Sequence, residues 1–433
     1  MTPRGAVPAF IASLERPEAV TPALAGPKAA RLAELRRAGL TVPDGFCLTA
    51  DAYRAVLDAA GIAEAARRAA HAERPEARRL ALAVRLGLQR AALPAAVTGP
   101  LVDAWRALAG ATGAPVAVRS SALLEDTPET SFAGQFETYL GVDIEADLVT
   151  AVRACWASLW AMRALRYMGS HDVDPATTAM AVLVQPLVDA RAAGGALSRT
   201  PEGGILLTGT WGLGSAIAQG EVVPDRFLLS RAGALVGVEP GRKDRRVRCV
   251  PGAGPKPQAV EPELVGAPCL DEAQAVDLGR VVLRAEAVLG GPVELEWALG
   301  PRGLEILQAR PLRLAPPAAP DELWERHPGL TGQPAGVGWA SGPACIVDHE
   351  EELARVKLGD VLVTQVAGPA LTAVLPRVAG VVAELGGSTS HLAALARERG
   401  LPAVLGVREA TRRIPDGATV AVDGVTGIVR WMR

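Results

Sequence analysis

Apolar positions in the first part of the chain recur mainly at helical spacing. In 27-PKAARLAELRRAGL-40 they fall at Ala30, Leu32, Leu35 and Leu40, which predicts a helix. Segments rich in alanine and arginine predict further helices from about residue 51 to 108 and around 145–168. Between these helices the pattern predicts a turn that leads into a strand, 41-TVPDGFCLT-49, and a second strand, 115-PVAVRSS-121. A loop is predicted after the second strand, 125-EDTPETSFAGQ-135.

From residue 179 the pattern changes to short β-branched and aliphatic runs. Four of them predict a β-rich region: 179-AMAVLVQPLV-188, 205-ILLTGTW-211, 226-RFLLS-230 and 234-ALVGVEP-240. A helix is predicted over 271-DEAQAVDLGRVVLRAEAVLG-290. Two strands follow it, 293-VELEWAL-299 and 304-LEILQARPL-312, and the short turn between them, which contains glycine and proline, predicts a β-hairpin.

A proline-rich polar segment, 313-RLAPPAAPDELWERHPG-329, has the composition of a semi-rigid tether. We therefore predict a first domain over residues 1–312, a linker or hinge over 313–329 and a second domain over 330–433. In the second domain four short strands, with a helix between the second and the third, predict a compact β/α fold: 360-DVLVT-364, 379-AGVVAE-384, 402-PAVLGV-407 and 418-ATVAVDG-424. The predicted fold class is α/β (α+β).

Composition narrows the classes of partner. The chain has 45 Lys and Arg against 47 Asp and Glu, which argues against a nucleic-acid binder because phosphate contacts need a basic excess. The basic run 241-GRKDRRVR-248 is better explained as a solvated loop than as a contact to nucleotide or acceptor. No apolar stretch approaches the roughly 18 residues of a membrane span, and the N-terminus lacks the apolar core of a signal peptide, so we expect a cytoplasmic protein without a membrane partner. Five scattered cysteines, none in a CxxC pair, favour reduced and mostly buried thiols.

A loop and an arginine form the first candidate site for chemistry. In 131-SFAGQ-135 the small residues let backbone N–H groups approach phosphate oxygens, and the nearby Arg119 can clamp the same oxygens. A surface turn with a structural ion pair explains these residues equally well, because glycine-containing loops are common. On the loop alone both interpretations stay open.

Alternating polar residues on the predicted hairpin form the second candidate site. Side chains alternate along a strand, so Glu294 and Glu296 share one face, and Gln308 and Arg310 share a face of the partner strand. Carboxylate and amide oxygens suit Mg²⁺, and the arginine can hold the phosphates that the metal bridges. Charged residues that alternate on a strand are more often its solvated face, and without further information that interpretation is favoured.

A histidine near a predicted helix start forms the third candidate site, within 386-GGSTSHLAALARERG-400. If the helix begins near Ser390, His391 lies in its first turn, where free N–H groups and the helix dipole stabilise an anion. An imidazole has an ordinary pKa of about 6.5 and is a competent nucleophile near pH 7. Thr389 and Ser390 can donate hydrogen bonds to a carried phosphate, and Gly386 and Gly387 leave room for it. A hydroxylated helix cap beside an incidental histidine is the plausible alternative.

The three candidate sites occur together in the order found in a known family. The chain resembles the group of pyruvate phosphate dikinases, phosphoenolpyruvate synthases and rifampicin phosphotransferases. For the family's GGKGANL-type loop 26-GPKAARL-32 supplies Lys28, and its AVRSSA and SFAGQ runs are present as 117-AVRSSALLED-126 and 131-SFAGQ-135. The resemblance implies an N-terminal ATP-grasp domain whose ATP-binding residues include Lys28, Arg119, Ser131, Gly134 and Gln135.

Later signatures of the family are also present. The strand 181-AVLVQPLV-188 places Gln185 where the family approaches adenine, and 211-WGLGSAIAQGEVVPD-225 is similar to the WGLGE…PD segment. The DIEW…LQARP signature appears as 294-ELEW-297 and 307-LQARP-311. It implies that Glu296 and Gln308 bind Mg²⁺, or Mn²⁺ in its place, and that all of Glu296, Gln308 and Arg310 contribute to the nucleotide site.

A swivelling phosphohistidine domain follows in the family, and its GG-x-T-[SC]-H-x-A motif is similar to 386-GGSTSHLA-393. The resemblance implies that His391 takes the β-phosphoryl group of ATP, with release of AMP and inorganic phosphate. The histidine then passes its phosphate to a small-molecule acceptor, and the segment 313–329 is the pivot. Gly387, Thr389 and Ser390 are expected to stabilise the carried phosphate.

The chain departs from the family's pattern at several positions. Pro27, Ser215 and Glu294 stand where the family has glycine, glutamate and aspartate, and its SGVAFT-like stretch is 194-GGALSRT-200. Ser215 removes a carboxylate near the nucleotide, and Glu221 is the nearest residue that can compensate. These changes keep a weakened enzyme among the interpretations.

The family's acceptor-binding parts, a large barrel or an antibiotic-binding domain, have no counterpart in this sequence. We therefore expect one of two enzymes. The first is a self-contained phosphotransferase of reduced size, favoured because a chain with both domains can already form AMP and phosphohistidine. The second is the ATP-charging subunit of a split synthase, whose acceptor site lies on a separate subunit. A third alternative is a non-catalytic ATP-binding regulator descended from such enzymes.

Overall fold

The computed structural model describes residues 10–16, 20–125, 132, 135–169, 171, 173–250, 252–312, 324, 326–365 and 368–432. The chain forms two compact units, and several segments contribute to each of them. The first unit is Met1–Val188 with Cys249–Lys256 and Ile306–Arg310, and the second is Asp189–Arg248 with Pro257–Glu305 and Pro311–Arg433. Most of the predicted linker 313–329 lies outside the described residues, so the predicted domain limits stay predictions.

The first unit contains a five-stranded antiparallel sheet. Its central strand, Met180–Pro186, is buried along its whole length. The strands lie in the order Ile11–Ser13, Phe46–Leu48, Met180–Pro186, Val116–Ala122 and Thr138–Val142. The helices of this unit are Pro22–Arg37, Ala50–Ala59, Ala63–His71, Arg74–Arg90, Ala95–Thr112, Glu145–Ser158 and Met162–Gly169. The strands predicted near residues 41–49 and 115–121 are confirmed.

The first helix, Pro22–Arg37, is kinked at Gly26, which has φ 76° and ψ 160°. A Cβ atom at Gly26 would lie 2.5 Å from Ser121 Oγ, so glycine is required both by the backbone conformation and by the close approach of the strand Val116–Ala122. Helical geometry resumes at Pro27, whose fixed φ suits a first helical position. The kink places Lys28 in the interior of the unit.

The second unit contains two large sheets, and five strands of the first are antiparallel neighbours. These lie in the order Val293–Gly300, Ala192–Leu197, Ile205–Trp211, Asp225–Leu229 and Leu235–Glu239. The strand Gly303–Pro311 follows Val293–Gly300 across the predicted turn. The helix Glu272–Leu289 confirms the prediction for 271–290: Asp271 and Gln274 form a capping box, and Gly290 ends the helix in the left-handed conformation. The remaining elements of this part of the chain are the helical segments Ser215–Ala218 and Pro262–Leu264 and the strands Arg245–Val250 and Gly254–Ala259. The two strands form a two-stranded sheet whose residues 249–256 belong to the first unit.

The basic run 241–248 differs from the prediction of a solvated loop. Lys243 is fully buried and forms an ion pair with the equally buried Asp225. The other carboxylate oxygen of Asp225 accepts a hydrogen bond from the Cys269 N–H at 2.8 Å, so the buried charge is compensated on both oxygens. The end of the run lies in the strand Arg245–Val250. The solvated-loop prediction is therefore wrong for Lys243, which is buried, and for residues 245–248, which form part of a strand. The charged residues Arg242, Asp244, Arg245 and Arg248 are nevertheless exposed.

The second sheet of this unit has eight strands around a valine-rich core. Their order is Gly329–Thr331, Ile428–Met432, Thr419–Asp423, Trp339–Val347, Val361–Thr364, Gly380–Ala383, Ala403–Leu405 and Gln333–Gly336. The four strands from Trp339–Val347 to Ala403–Leu405 in that order are parallel neighbours. Helical segments are Glu350–Arg355, Pro369–Ala373, His391–Glu398 and Ala410–Arg413. The four strands predicted for this region are confirmed, as is the helix between the second and the third, and the α/β (α+β) class is confirmed for the chain.

No single helix in the described part of the chain is long and apolar enough to cross a membrane. One bent pair, Pro75–Arg90 with Ala95–Thr112, meets the criterion by length and composition only.

Candidate active site

His391 is the first residue of the helix His391–Glu398, in agreement with the sequence. Ser390 is the N-cap, and its Oγ accepts a hydrogen bond from the Ala393 N–H at 3.2 Å. The first N–H groups of this helix and its dipole therefore lie beside a half-buried imidazole. The capping alternative is correct for Ser390 but does not exclude a carrier role for the histidine.

The loop before His391 packs on the first sheet of the second unit. Thr389 Oγ1 lies 2.6 Å from Thr208 Oγ1, within hydrogen-bond distance. A Cβ atom at Gly195 would lie 2.5 Å from Thr389 Cβ, so this glycine leaves the space that the threonine fills. At Gly387 the space for a side chain is taken by Pro224 and by the amide oxygen of Gln333. Glycine is therefore needed at both positions for close packing of loop and sheet.

Strand register places Glu296 on the face under this loop. Gly195 is the direct partner of Thr208 on one side and of Glu296 on the other. Directly paired residues project to the same face of a sheet, so the Glu296 side chain shares a face with Thr208, which contacts Thr389. The structure thus brings the candidate metal ligand and the histidine loop to one surface of the second unit.

Glu294 shares this face and has a partner that the sequence analysis does not identify. Its carboxylate forms an ion pair with Arg397 of the histidine helix, Nη2 to Oε2 2.8 Å, and both side chains are only 7% exposed. The same guanidinium donates to the carbonyl oxygens of Ser388 and of Ala335. The favoured interpretation of the alternating charges, a solvated strand face, is therefore wrong for Glu294, because this side chain is buried and paired.

Three cationic residues predicted to contact ATP lie in the first unit, and two of them, Lys28 and Arg119, have well-defined partners. Lys28 Nζ is 2.7 Å from Glu125 Oε1 and donates to the Ser120 carbonyl at 2.8 Å. Arg119 donates through Nη2 to Gln308 Oε1 at 2.7 Å and through Nη1 to the Leu307 carbonyl. Both cations are therefore fixed in direction by their hydrogen bonds, which favours a preorganised anion site.

The other predicted nucleotide residues of the first unit are buried polar side chains. Gln185 donates through Nε2 to the Pro43 carbonyl at 3.0 Å, and Gln135 and Arg310 are less than a tenth exposed. Ser131 and Gly134 lie outside the described residues. The adjacent Phe132 has φ 51° and stacks on Phe136 at 5.1 Å between ring centroids.

The donor set proposed for Mg²⁺ has suitable chemistry. Glu296 offers a carboxylate and Gln308 an amide oxygen, both hard ligands, and the remaining positions of an octahedral ion are usually filled by phosphate and water. Gln308 Oε1 accepts a hydrogen bond from Arg119, and an amide oxygen has two lone pairs in all. In the described part of the chain, no group of three or more His, Cys, Asp or Glu has the geometry of a metal site. Glu296 and Gln308 as a metal pair stay a prediction.

The cysteine thiols are mostly buried, which affects their reactivity. All five cysteines are reduced, in no disulfide, and Cys47, Cys155, Cys269 and Cys345 are buried. Burial raises the pKa of the Cys47 thiol to about 12, and burial also raises the pKa of Cys155. These thiols are protonated near neutral pH and therefore poor nucleophiles.

Fold and site together define a class, in which an ATP-binding domain is joined to a mobile phosphohistidine-type domain. Residues 22–327 match the pyruvate phosphate dikinase, AMP/ATP-binding domain, and residues 356–427 match the PEP-utilising enzyme, mobile domain. The chain belongs to the pyruvate phosphate dikinase family, and the resemblance seen in the motifs is confirmed.

The relatives found include phosphoenolpyruvate synthases of archaea. That of Aeropyrum pernix is 35% identical, with 94% of this chain and 56% of the relative covered. A probable phosphoenolpyruvate synthase of Methanothermobacter thermautotrophicus is 32% identical, over 94% of this chain and 61% of the relative. The phosphoenolpyruvate synthase of Pyrococcus furiosus is 30% identical, over 94% and 56%. The chain spans little more than half the length of these relatives.

Three residues of the site are missed by sequence reasoning. Glu125 has a signal, because it stands in the 117-AVRSSALLED-126 run close to a predicted phosphate-binding arginine. Thr208 and Arg397 have no local signal, because their partners lie 181 and 103 residues away. Ser215, the departure from the family that removes a carboxylate, has a buried Oγ that finds no hydrogen-bond partner among the described residues.

Proposed function

We propose that the chain is an AMP-forming phosphotransferase of the dikinase type that acts on cytoplasmic ATP. The observation that carries the proposal is the position of the His391 loop in the second unit. Thr389 packs over Gly195, and the strand partner of Gly195 is Glu296, the candidate metal ligand. The helix start that holds the nucleophile is therefore supported beside a residue expected at the nucleotide phosphates.

The proposed chemistry begins with attack of an imidazole nitrogen of His391 on the β-phosphorus of ATP. The bond from that phosphorus to the oxygen bridging to the α-phosphorus breaks, and AMP leaves with the bonding electrons. Transfer of the terminal phosphoryl group from the pyrophosphorylated histidine to water or phosphate leaves phosphohistidine, which passes its phosphoryl group to an acceptor. Lys28, Arg119 and Arg310 offset the charge on the phosphates, and the N–H groups at the helix start hold the carried phosphate. Mg²⁺, when bound, supplies further charge neutralisation.

The first experiment asks for the phosphohistidine itself. Purified protein incubated with ATP labelled at the β-phosphate is expected to acquire acid-labile label and to release AMP. His391→Ala is expected to abolish both, because no other histidine lies at this loop. His349→Ala is the matched control, since His349 is an exposed histidine of the same region, and it is expected to keep labelling. Labelling of His391→Ala at the wild-type rate rejects the proposal. If the wild-type chain binds ATP but acquires no label, the result indicates a regulator without catalysis.

The acceptor divides the proposal into two arrangements. In the first, the chain alone transfers its label to a small molecule. In the second, an acceptor site on another subunit is needed. Challenge of the labelled protein with pyruvate and other small carboxylates distinguishes them. Loss of label to a small molecule without any added protein rejects the second arrangement, and strict dependence on a partner protein rejects the first.

A further inference from the structure

Glu294 and Arg397 connect the two sheets of the second unit through a buried ion pair. Glu294 lies on the strand Val293–Gly300, and Arg397 lies near the end of the histidine helix. Their contact is 2.8 Å long, and each side chain is 7% exposed. A buried carboxylate without its partner is strongly disfavoured, so this pair favours the arrangement in which the histidine helix is held against the strand.

Arg397 extends this contact to the histidine loop. A guanidinium has five N–H donors in a fixed plane, and here they reach Glu294, the Ala335 carbonyl at 3.1 Å and the Ser388 carbonyl. Ser388 is three residues before His391 and directly precedes Thr389. Movement of the Glu294 carboxylate therefore moves the backbone that carries the nucleophile.

Other contacts support the same docked arrangement. Thr389 fills the space above Gly195 and contacts Thr208. Gln333 donates through Nε2 to the Pro224 carbonyl at 2.9 Å, and the Gly386 N–H donates to the Val222 carbonyl at 3.2 Å. Most of these contacts are single hydrogen bonds or packing, and the pair of Glu294 with Arg397 is the one that joins opposite charges.

We propose that Glu294 is a positioning residue, which docks the His391 loop through Arg397 and does not act as a ligand of the nucleotide or its metal. The kinetic test of this inference rests on the proposed function, because it measures labelling of His391, whereas the structural test below does not. It assigns to Glu294 a role different from that of its neighbour Glu296, although the two carboxylates share a sheet face. A side chain held by a guanidinium at 2.8 Å in the interior has little freedom to ligate a cation.

The kinetic test compares Glu294→Gln, Arg397→Gln and the double variant in labelling by β-labelled ATP. We expect each single variant to label about tenfold more slowly or worse, because small misplacement of a nucleophile is costly. We expect the double variant to be no slower than the slower single variant, because both changes break one contact. The Mg²⁺ concentration for half-maximal labelling is expected to stay at the wild-type value. The proposal is overturned by any of three results. These are losses in labelling rate of the two single variants that multiply in the double variant, a rise in the Mg²⁺ concentration for half-maximal labelling, and labelling of Glu294→Gln at the wild-type rate.

Phosphoramidate provides a second probe, because this small donor phosphorylates an imidazole without the nucleotide site. Glu294→Gln is expected to react with phosphoramidate at His391 at the wild-type rate, which also shows that the variant is folded. Slow labelling by both donors indicates a general defect and counts against the proposal. Glu286→Gln is the matched control: it removes a largely buried carboxylate from the pair with Arg231 in the same unit, and it is expected to label normally with ATP.

A structural test does not depend on activity. In a Thr208→Cys/Thr389→Cys double variant the two thiols replace hydroxyl oxygens 2.6 Å apart, so a disulfide is expected to form readily under mild oxidation. Adding Glu294→Gln is expected to slow formation of the disulfide several-fold, and an unchanged rate overturns the proposal.

Gly195→Ala disturbs the docked loop in a different way, since the three atoms nearest its new methyl group all belong to Thr389. It is expected to slow labelling by ATP while labelling by phosphoramidate is unchanged. Absence of label on the wild-type protein rejects the proposed function, whereas the disulfide result still decides the role of Glu294.

Discussion

At the scale of single residues, the best-defined buried charge near the candidate nucleotide site is Lys28. Its ammonium is 2.7 Å from the Glu125 carboxylate, and both side chains are almost fully buried. Glu125→Gln is expected to lower the free energy of unfolding by about 3 kcal/mol, because it leaves a buried cation without its counter-charge. Urea unfolding measures this, and Glu64→Gln in the exposed pair with Arg67 is the control, with an expected change below about 0.5 kcal/mol.

The same variant tests whether Lys28 faces the nucleotide. If ATP phosphates bind Lys28, they replace the lost carboxylate, so ATP is expected to stabilise Glu125→Gln more than it stabilises the wild-type protein. Equal stabilisation of both proteins by ATP, measured as the shift in Tm, contradicts a phosphate role for Lys28. Sequence motifs predict Lys28, Arg119 and His391 as site residues, but they could not show that Glu125 neutralises the lysine, because an ion pair depends on how the chain folds back.

At the scale of elements, the kink in Pro22–Arg37 determines where Lys28 lies. Gly26→Ala is expected to destabilise the protein by more than about 2 kcal/mol. The backbone at φ 76° and ψ 160° lies in a region essentially restricted to glycine, which costs another residue about 1–3 kcal/mol, and the new methyl group meets Ser121. Gly113→Ala is the matched control: Gly113 also has positive φ, 64°, but open space around it, so only the conformational cost is expected. Thermal unfolding measures both, and equal losses of stability show that the close approach to Ser121 is unimportant.

Periodicity predicted most elements of the chain and failed where tertiary contacts decide. Four strands of the eight-stranded sheet and the helix Glu272–Leu289 were predicted, because each has a continuous apolar pattern or clear caps. The other four strands of that sheet were not predicted: Gly329–Thr331, Gln333–Gly336, Trp339–Val347 and Ile428–Met432. The break at Gly26 was not predicted either, since it is imposed by the neighbouring strand Val116–Ala122. The strand Arg245–Val250 was also missed, because its charged residues resemble a solvated loop.

At the scale of the whole molecule, the compact units do not follow the order of the chain. Residues 306–310 of the strand Gly303–Pro311 belong to the first unit, while the flanking residues belong to the second. No local pattern can predict such a division, because it depends on contacts between residues far apart in sequence. The family motifs nominate candidate functional residues, whereas the arrangement of Thr389, Gly195 and Arg397 in the second unit required the structure.

The loss of stability of the whole fold in acid can be predicted in part from one residue of the second unit, Glu286. Burial alone would raise the pKa of Glu286, but hydrogen bonds from Arg231, Ser198 and Arg199 outweigh burial and lower the pKa to about 2. A carboxylate whose pKa is lowered in the folded state stabilises the protein at pH values above its pKa in the unfolded state, near 4.5. This stabilisation is lost as the pH falls from 4.5 toward 2.

The size of this contribution follows from the exposure of the partners. The side chains of Arg231 and Arg199 are 39% and 45% exposed, so solvent screening reduces it to about 1–2 kcal/mol. Glu286→Gln is expected to be less stable than the wild-type protein by this amount at pH 7, and the difference is expected to shrink between pH 4.5 and pH 2. Urea unfolding across this range measures it. A difference that is independent of pH contradicts the assignment, because loss of packing alone does not titrate.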